Sequence, residues 1–218
     1  MSQPMGRLNQ SLTDRLPLVE GALFGAIAFV AGIVVTYVLA QLDSNLSDRI
    51  DQLTGGSIDV AEFDTGISAL DAVIWVFFEA HLVDIESTVE GGGQAGSSTV
   101  NLLSEAAFPA LLYTAVIAVV LVVAGFLLGQ RAGPSSGQEG ATYGAMVVIG
   151  YLPLTLVSIF LSRVSESTTV LGTTLSATIE PDIVTALVLA GLLFPLALGA
   201  LGGYLAFRQQ PSRSQFGR

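Results

Sequence analysis

Long apolar runs separated by short polar segments dominate the pattern along this chain. Four of them reach the length of about 20 residues that a helix needs to cross a hydrocarbon core: residues 21–41, 106–129, 140–161 and 183–207. None contains Asp, Glu, Lys, Arg or His. A fifth run, 67–85, has an apolar centre at 72–78, but Asp71, Glu79, His81 and Asp84 interrupt its ends. Charges inside a bilayer cost roughly 2.5–3.5 kcal/mol each on insertion scales. That segment is therefore expected to lie on the membrane surface or to cap the bundle, with a re-entrant or crossing segment as the alternative. The expected fold class is an all-α integral membrane protein with four transmembrane helices and one external amphipathic helix.

The chain also repeats itself. Glu20-Gly21-Ala22-Leu23-Phe24-Gly25-Ala26-Ile27 opens the first run, and Glu139-Gly140-Ala141-Thr142-Tyr143-Gly144-Ala145-Met146 opens the third. Five of the eight positions are identical, and continuing the register aligns Thr36 with Thr155 and Val38 with Val157. The expectation is a duplicated helical hairpin, with units at 20–130 and 139–208 joined by 131–138 and flanked by tails 1–19 and 209–218. An even number of spans per unit makes the repeats parallel, related by an axis along the membrane normal. Each run carries one Gly-x-x-x-Gly pair: Gly21/Gly25, Gly125/Gly129, Gly140/Gly144 and Gly199/Gly203. Such pairs let helix backbones approach closely, so the bundle should be tightest at the end where all four pairs lie.

Hydroxyls cluster toward the opposite end: Thr36, Tyr37, Tyr113, Thr114, Thr155 and Ser158. Pro153 and Pro195 fall near mid-membrane, and each would free the carbonyl four residues earlier, at Ile149 and Gly191. Together these eight residues are candidates to line an outward-facing cavity. The alternative is that the hydroxyls bond their own backbone and the prolines bend helices to fit. Glu20 and Glu139 open odd helices while Arg131 and Arg208 close even ones, as helix dipoles favour. With parallel repeats, these four are expected to form a ring of Glu–Arg pairs.

Between the runs, residues 87–104 are Gly-, Ser- and Thr-rich and read as flexible, whereas 162–180 read as a short extended pair. Asn45-Leu46-Ser47 is a glycosylation acceptor pattern in the long acidic loop 42–105.

Composition sharpens the picture. The 218 residues are 51% hydrophobic and only 12% charged, about half the charge of a soluble domain. Net charge is −10, which disfavours nucleic acid as a partner. All eight basic residues are arginine. Six of them, Arg7, Arg15, Arg131, Arg208, Arg213 and Arg218, fall on one side of the four-span topology. Positive residues stay inside, so both termini are expected in the cytoplasm and the protein in the cell membrane. There is no cysteine and a single histidine, His81, so thiol chemistry and multi-histidine metal sites are excluded within one chain. No catalytic or cofactor motif is found. Gly91-Gly92-Gly93 lacks the lysine and the strand–helix context of a phosphate loop. The expectation is no enzyme and no cofactor.

The opening Arg15-Leu16-Pro17-Leu18-Val19-Glu20-Gly21-Ala22, followed by an acidic loop, resembles small membrane proteins of haloarchaea that carry no functional description or are labelled only as transporters. The lysine-free, acid-rich composition resembles that of salt-loving archaea. The resemblance raises two expectations. One is a non-catalytic membrane-complex or scaffold subunit that presents its acidic loop to a membrane-protein partner or to a second copy. The other is a small-solute permease or channel-like transporter.

Overall fold

The computed structural model describes residues 17–54, 66–170 and 173–210. Helix α1 (Leu18–Leu42) follows Pro17. Its two sides differ in size rather than polarity. Apart from Phe29 its buried residues are small, Gly21, Gly25, Ala28, Gly32, Thr36 and Ala40, whereas Val19, Leu23, Ile27, Val30 and Val34 are more than half exposed. Small residues inside and large apolar residues outside suit helix packing in lipid.

Asp43 ends α1 and starts the short helix α2 (Ser44–Thr54). Helix α3 (Ala69–Ala80) begins at a capping box, in which Ser68 accepts from the Asp71 amide and the Asp71 carboxylate accepts from that of Ser68. Strands β1 (Ile85–Gly91) and β2 (Gln94–Val100) form a hairpin. Its turn residues Gly92 and Gly93 both have positive φ, 60° and 80°, which the favoured two-residue hairpin turn requires. Helix α4 (Ala110–Ala132) starts after Pro109 and ends at Gly133, whose φ of 64° closes the helix in the left-handed region.

Helices α5 (Gly137–Ala145) and α6 (Val148–Leu161) form one continuous apolar length with a tight turn between them. There the amides of Met146, Val147 and Ile149 donate to carbonyls three residues back. A second hairpin follows, β3 (Val164–Val170) and β4 (Thr173–Pro181). The last span runs from α7 (Ile183–Thr185) through a π-helical segment (Ala186–Leu193) into α8 (Phe194–Arg208). The wide turn has a local cause. Pro195 has no N–H and would clash with the Gly191 carbonyl in a regular helix, and the Phe194 amide reaches back five residues to Leu189.

Among the described residues, four helical lengths are long and apolar enough to cross a membrane: Leu18–Leu42, Ala110–Ala132, Gly137–Leu161 and Ile183–Arg208. Glycines set their crossings. A Cβ on Gly125 would overlap the Gly199 carbonyl, and one on Gly144 would overlap the same oxygen. Gly129 and Gly140 abut Gly203, while Gly21 meets Met146 and Gly25 meets Val147. The glycine pair of α8 is thus clasped from both sides, by α4 running parallel and α5 antiparallel.

Two features differ from the all-α expectation. First, the hairpins join into a four-stranded antiparallel sheet in the order β2-β1-β4-β3. Residues 87–104, expected to be flexible, supply one of them. Their alternation, with Ile85, Val89 and Val100 sharing a face with Ile179, Ala177 and Leu175, was masked by the serines and glycines between. Second, α3 caps the bundle, one of the two placements expected for it, but as a buried helix rather than an external one. Ala72 through Phe78 are all buried, with Trp75, Val76, Phe77 and Phe78 fully so.

The sheet also departs from simple duplication. An axis that exchanged the hairpins in chain order would place β1 beside β3 or β2 beside β4. The observed central pair is β1 with β4.

Candidate functional site beneath the sheet

Helix α3 occupies the space between the sheet and the spans, packing against α1, α2, α4, β1 and β4. Phe77 stands edge-on to Phe29 of α1 at 5.1 Å and presses on Gly32. A larger residue at position 32 would collide with that ring. Trp75 donates its indole N–H to the Ser162 carbonyl, 2.8 Å away at the end of α6.

His81, just past the end of α3, is fully buried. Its Nδ1 lies 2.7 Å from the Phe77 carbonyl and its Nε2 lies 2.9 Å from the Tyr151 hydroxyl of α6. Phe77 and Phe194 rings flank the imidazole at 4.5 and 5.1 Å. Burial pushes the imidazole pKa down to about 4, against a smaller opposing effect of the Phe77 carbonyl.

Two carboxylates fasten this region to the segment that enters α4. Glu79 accepts the amides of Leu102 and Leu103, one on each oxygen, at 2.8 and 2.7 Å. Burial raises its pKa to about 7; the two amides oppose that shift and Asp84 adds to it. Asp43, fully buried, accepts from the amides of Leu46, Ala107 and Phe108 and from the Tyr113 hydroxyl. Burial alone would raise its carboxyl, but four donors hold it below the ordinary aspartate value. Neither acid was singled out from the sequence as a structural anchor. A loop acid carries no local signature of the distant amides it will meet.

The eight cavity candidates separate. Thr36, Tyr113, Thr155 and Ser158 are buried, as is Pro195. Thr114 is half-buried, and Tyr37 and Pro153 are exposed on the outside of the bundle. Thr155 and Thr114 bond carbonyls of their own helices, those of Tyr151 and Ala110. Helix α3 fills the space beneath the sheet with Trp75, Phe77 and Phe78. A cleft of about 270 Å³ does open beside its end, lined by Glu79, Leu82, Asp84, Asn101 and Leu103 among others.

Among the described residues the expected ring of Glu–Arg pairs does not form. Glu139 is bonded by the amide and hydroxyl of Ser135 and by the Tyr143 hydroxyl. Arg208 lies over the Tyr204 ring at 6.0 Å. The ion pairs among the described residues are Arg49–Glu105 and Arg163–Glu180, at the sheet end. Asn45 is exposed near the start of α2. No group of three or more His, Asp or Glu suited to a metal occurs among the described residues.

No curated protein and no solved structure matches the chain. A family model matches residues 1–210, and the chain accordingly belongs to DUF7978, a family of unknown function.

Proposed function

We propose that this chain is a non-catalytic subunit of the cell membrane, with both termini in the cytoplasm, that presents its sheet to a protein partner outside. The observation that carries this reading is the sheet itself. Beyond its base at Ile85, Val100, Val164 and Ile179, it is largely solvent-accessible, and among the described residues its two edge strands, β2 and β3, each have one unpaired side. Unpaired strand edges invite pairing with another chain.

Cross-strand register gives the sheet two dissimilar faces. Glu86, Thr88 and Glu90 share one with Thr178, Ser176, Ser97 and Ser165, so that face is rich in hydroxyls and acids. A basic surface complements it, and interfacial charge of this kind governs partner choice more than raw affinity.

Purification in mild detergent from native membranes is expected to yield a stoichiometric partner. The double substitution Glu86→Arg and Glu90→Arg should release it while helical content is retained. A chain that purifies alone, or a partner indifferent to the reversal, would count against the proposal. The orientation has its own test, which the absence of native cysteine makes clean. Ser97→Cys and Thr173→Cys are expected to react with an impermeant thiol reagent applied outside intact cells, and Ser135→Cys is not. Labelling of Ser135→Cys from outside would invert the topology.

A second reading, a small-solute permease, draws on one observation: the third and fourth spans are both irregular, at Met146–Val147 and in the π-helical segment. Interrupted helices in transporters line binding sites. Solute flux through vesicles holding the purified chain alone would favour it.

A further inference from the structure

The buried histidine takes part in neither proposed interaction, and its surroundings fix its chemistry. The Phe77 carbonyl can only accept, so Nδ1 carries the ring proton and donates to it. Nε2 is left with its lone pair and accepts from the Tyr151 hydroxyl. In this neutral form both ring nitrogens are satisfied.

A second proton can only go on Nε2. The bond to Tyr151 must then reverse. Its hydroxyl hydrogen has to turn away from His81, and the Phe29 and Phe77 rings lie 5.0 and 6.5 Å from that of Tyr151. The imidazolium itself would sit between Phe77 and Phe194, with no carboxylate bonded to it.

The titratable groups on the surrounding elements are engaged elsewhere or face solvent. On α3, Asp71 bonds Ser68 and Glu79 bonds Leu102 and Leu103. Asp43 and Tyr113 bond each other, Glu180 pairs with Arg163, Arg49 pairs with Glu105, and Asp182 caps Thr185. Asp48, Asp51, Asp84, Glu86, Glu90 and Glu166 are exposed.

We infer that His81 and Tyr151 form a proton-operated latch: α3 stays seated beneath the sheet while the imidazole is neutral, and protonating the imidazole unseats that helix. Seating holds the histidine below its ordinary value of 6.5. Its contribution is therefore complete above that pH and is lost as pH falls toward the seated value. Glu79 has the opposite sign. Its raised pKa favours the seated state in acid and weakens it as pH rises through about 7, so Glu79→Gln should leave the histidine's acid transition steeper.

Trp75, the chain's one tryptophan, sits on α3 and reports its position in the native protein. Its emission is expected to be blue at about pH 8 and to move red by about pH 4, with far-UV helicity unchanged. In His81→Phe the transition should vanish. In Tyr151→Phe the neutral imidazole loses the bond it accepts, so the midpoint should rise by about one unit, tenfold in proton affinity. Any of three results would overturn the latch. These are emission that does not change with acid, a red shift that accompanies loss of helicity, or an unchanged midpoint in His81→Phe. Should His81→Phe fail to fold, Tyr151→Phe decides alone, and a midpoint that stays put refutes the latch.

Discussion

Gly144→Leu is expected to melt the helical bundle in detergent at temperatures where the native chain stays folded. Ala197→Leu, on the exposed side of the span that Gly144 touches, should be nearly silent. The difference lies in what the new atoms meet. At position 144 a Cβ already overlaps the Gly199 carbonyl and crowds the Gly203 backbone. Backbone cannot swing aside as a side chain does, so the two helices must separate. Overpacking a rigid site typically costs about 1–3 kcal/mol, and a forced helix separation should reach the top of that range or pass it. Ala197 is exposed, and a larger apolar residue there meets only detergent. Circular dichroism melts compare the two directly, and equal melting temperatures would remove the glycine contacts as the source of bundle stability.

The glycines also show how far sequence spacing reaches. Gly-x-x-x-Gly pairs marked eight positions, and all eight lie within close reach of a neighbouring helix. Gly150 and Gly202 are packed as tightly, against Ala22 and Val122, yet neither belongs to such a pair. Their tightness depends on where a partner backbone passes, and that is a property of the assembled bundle. Gly32 is similar: only the arrival of Phe77 makes its missing side chain matter.

The four spans were legible because run length alone decides them. The depth at which α3 is buried was not, and the reason is energetic. Insertion scales charge Asp71, Glu79 and His81 as if each stood bare in lipid. In the fold each has its own bonding groups: the Ser68 cap, the amides of Leu102 and Leu103, and the Phe77 carbonyl with the Tyr151 hydroxyl. Polar groups satisfied this way lose most of their penalty, so an apolar helix with polar ends can be buried. The Glu79 partner Leu102 and the His81 partner Tyr151 lie 23 and 70 residues away, beyond any local pattern. The β1–β2 hairpin was missed although Gly92-Gly93 can form a two-residue turn, because the serines and glycines of its strands hide their alternation.

The second large effect is expected at Asp43. Asp43→Ala should destabilise the chain by at least about 3 kcal/mol, because each buried donor stranded without an acceptor costs about 1–3 kcal/mol. Four donors converge on this carboxylate: three backbone amides and the Tyr113 hydroxyl. Together they join the end of α1, the start of α2 and the residues that lead into α4. Removing the acid therefore loosens three elements at one point, and the substitution should expose residues 106–108 to proteolysis before the spans unfold. Asp43→Asn keeps one acceptor but turns an N–H₂ toward donors, so an intermediate loss is expected. The pH dependence follows from the lowered carboxyl. A depressed folded-state pKa gives stability that is complete above the ordinary aspartate value of 3.8 and is lost as pH falls through the folded value. The native chain should therefore lose stability steeply below about pH 4, and Asp43→Asn should lack that step. This window lies below the histidine transition, so titration melts of the native chain, Asp43→Asn and His81→Phe separate the two. An Asp43→Asn protein that keeps the native acid step would show that another carboxylate sets it, and that the four donors do not hold Asp43 ionised.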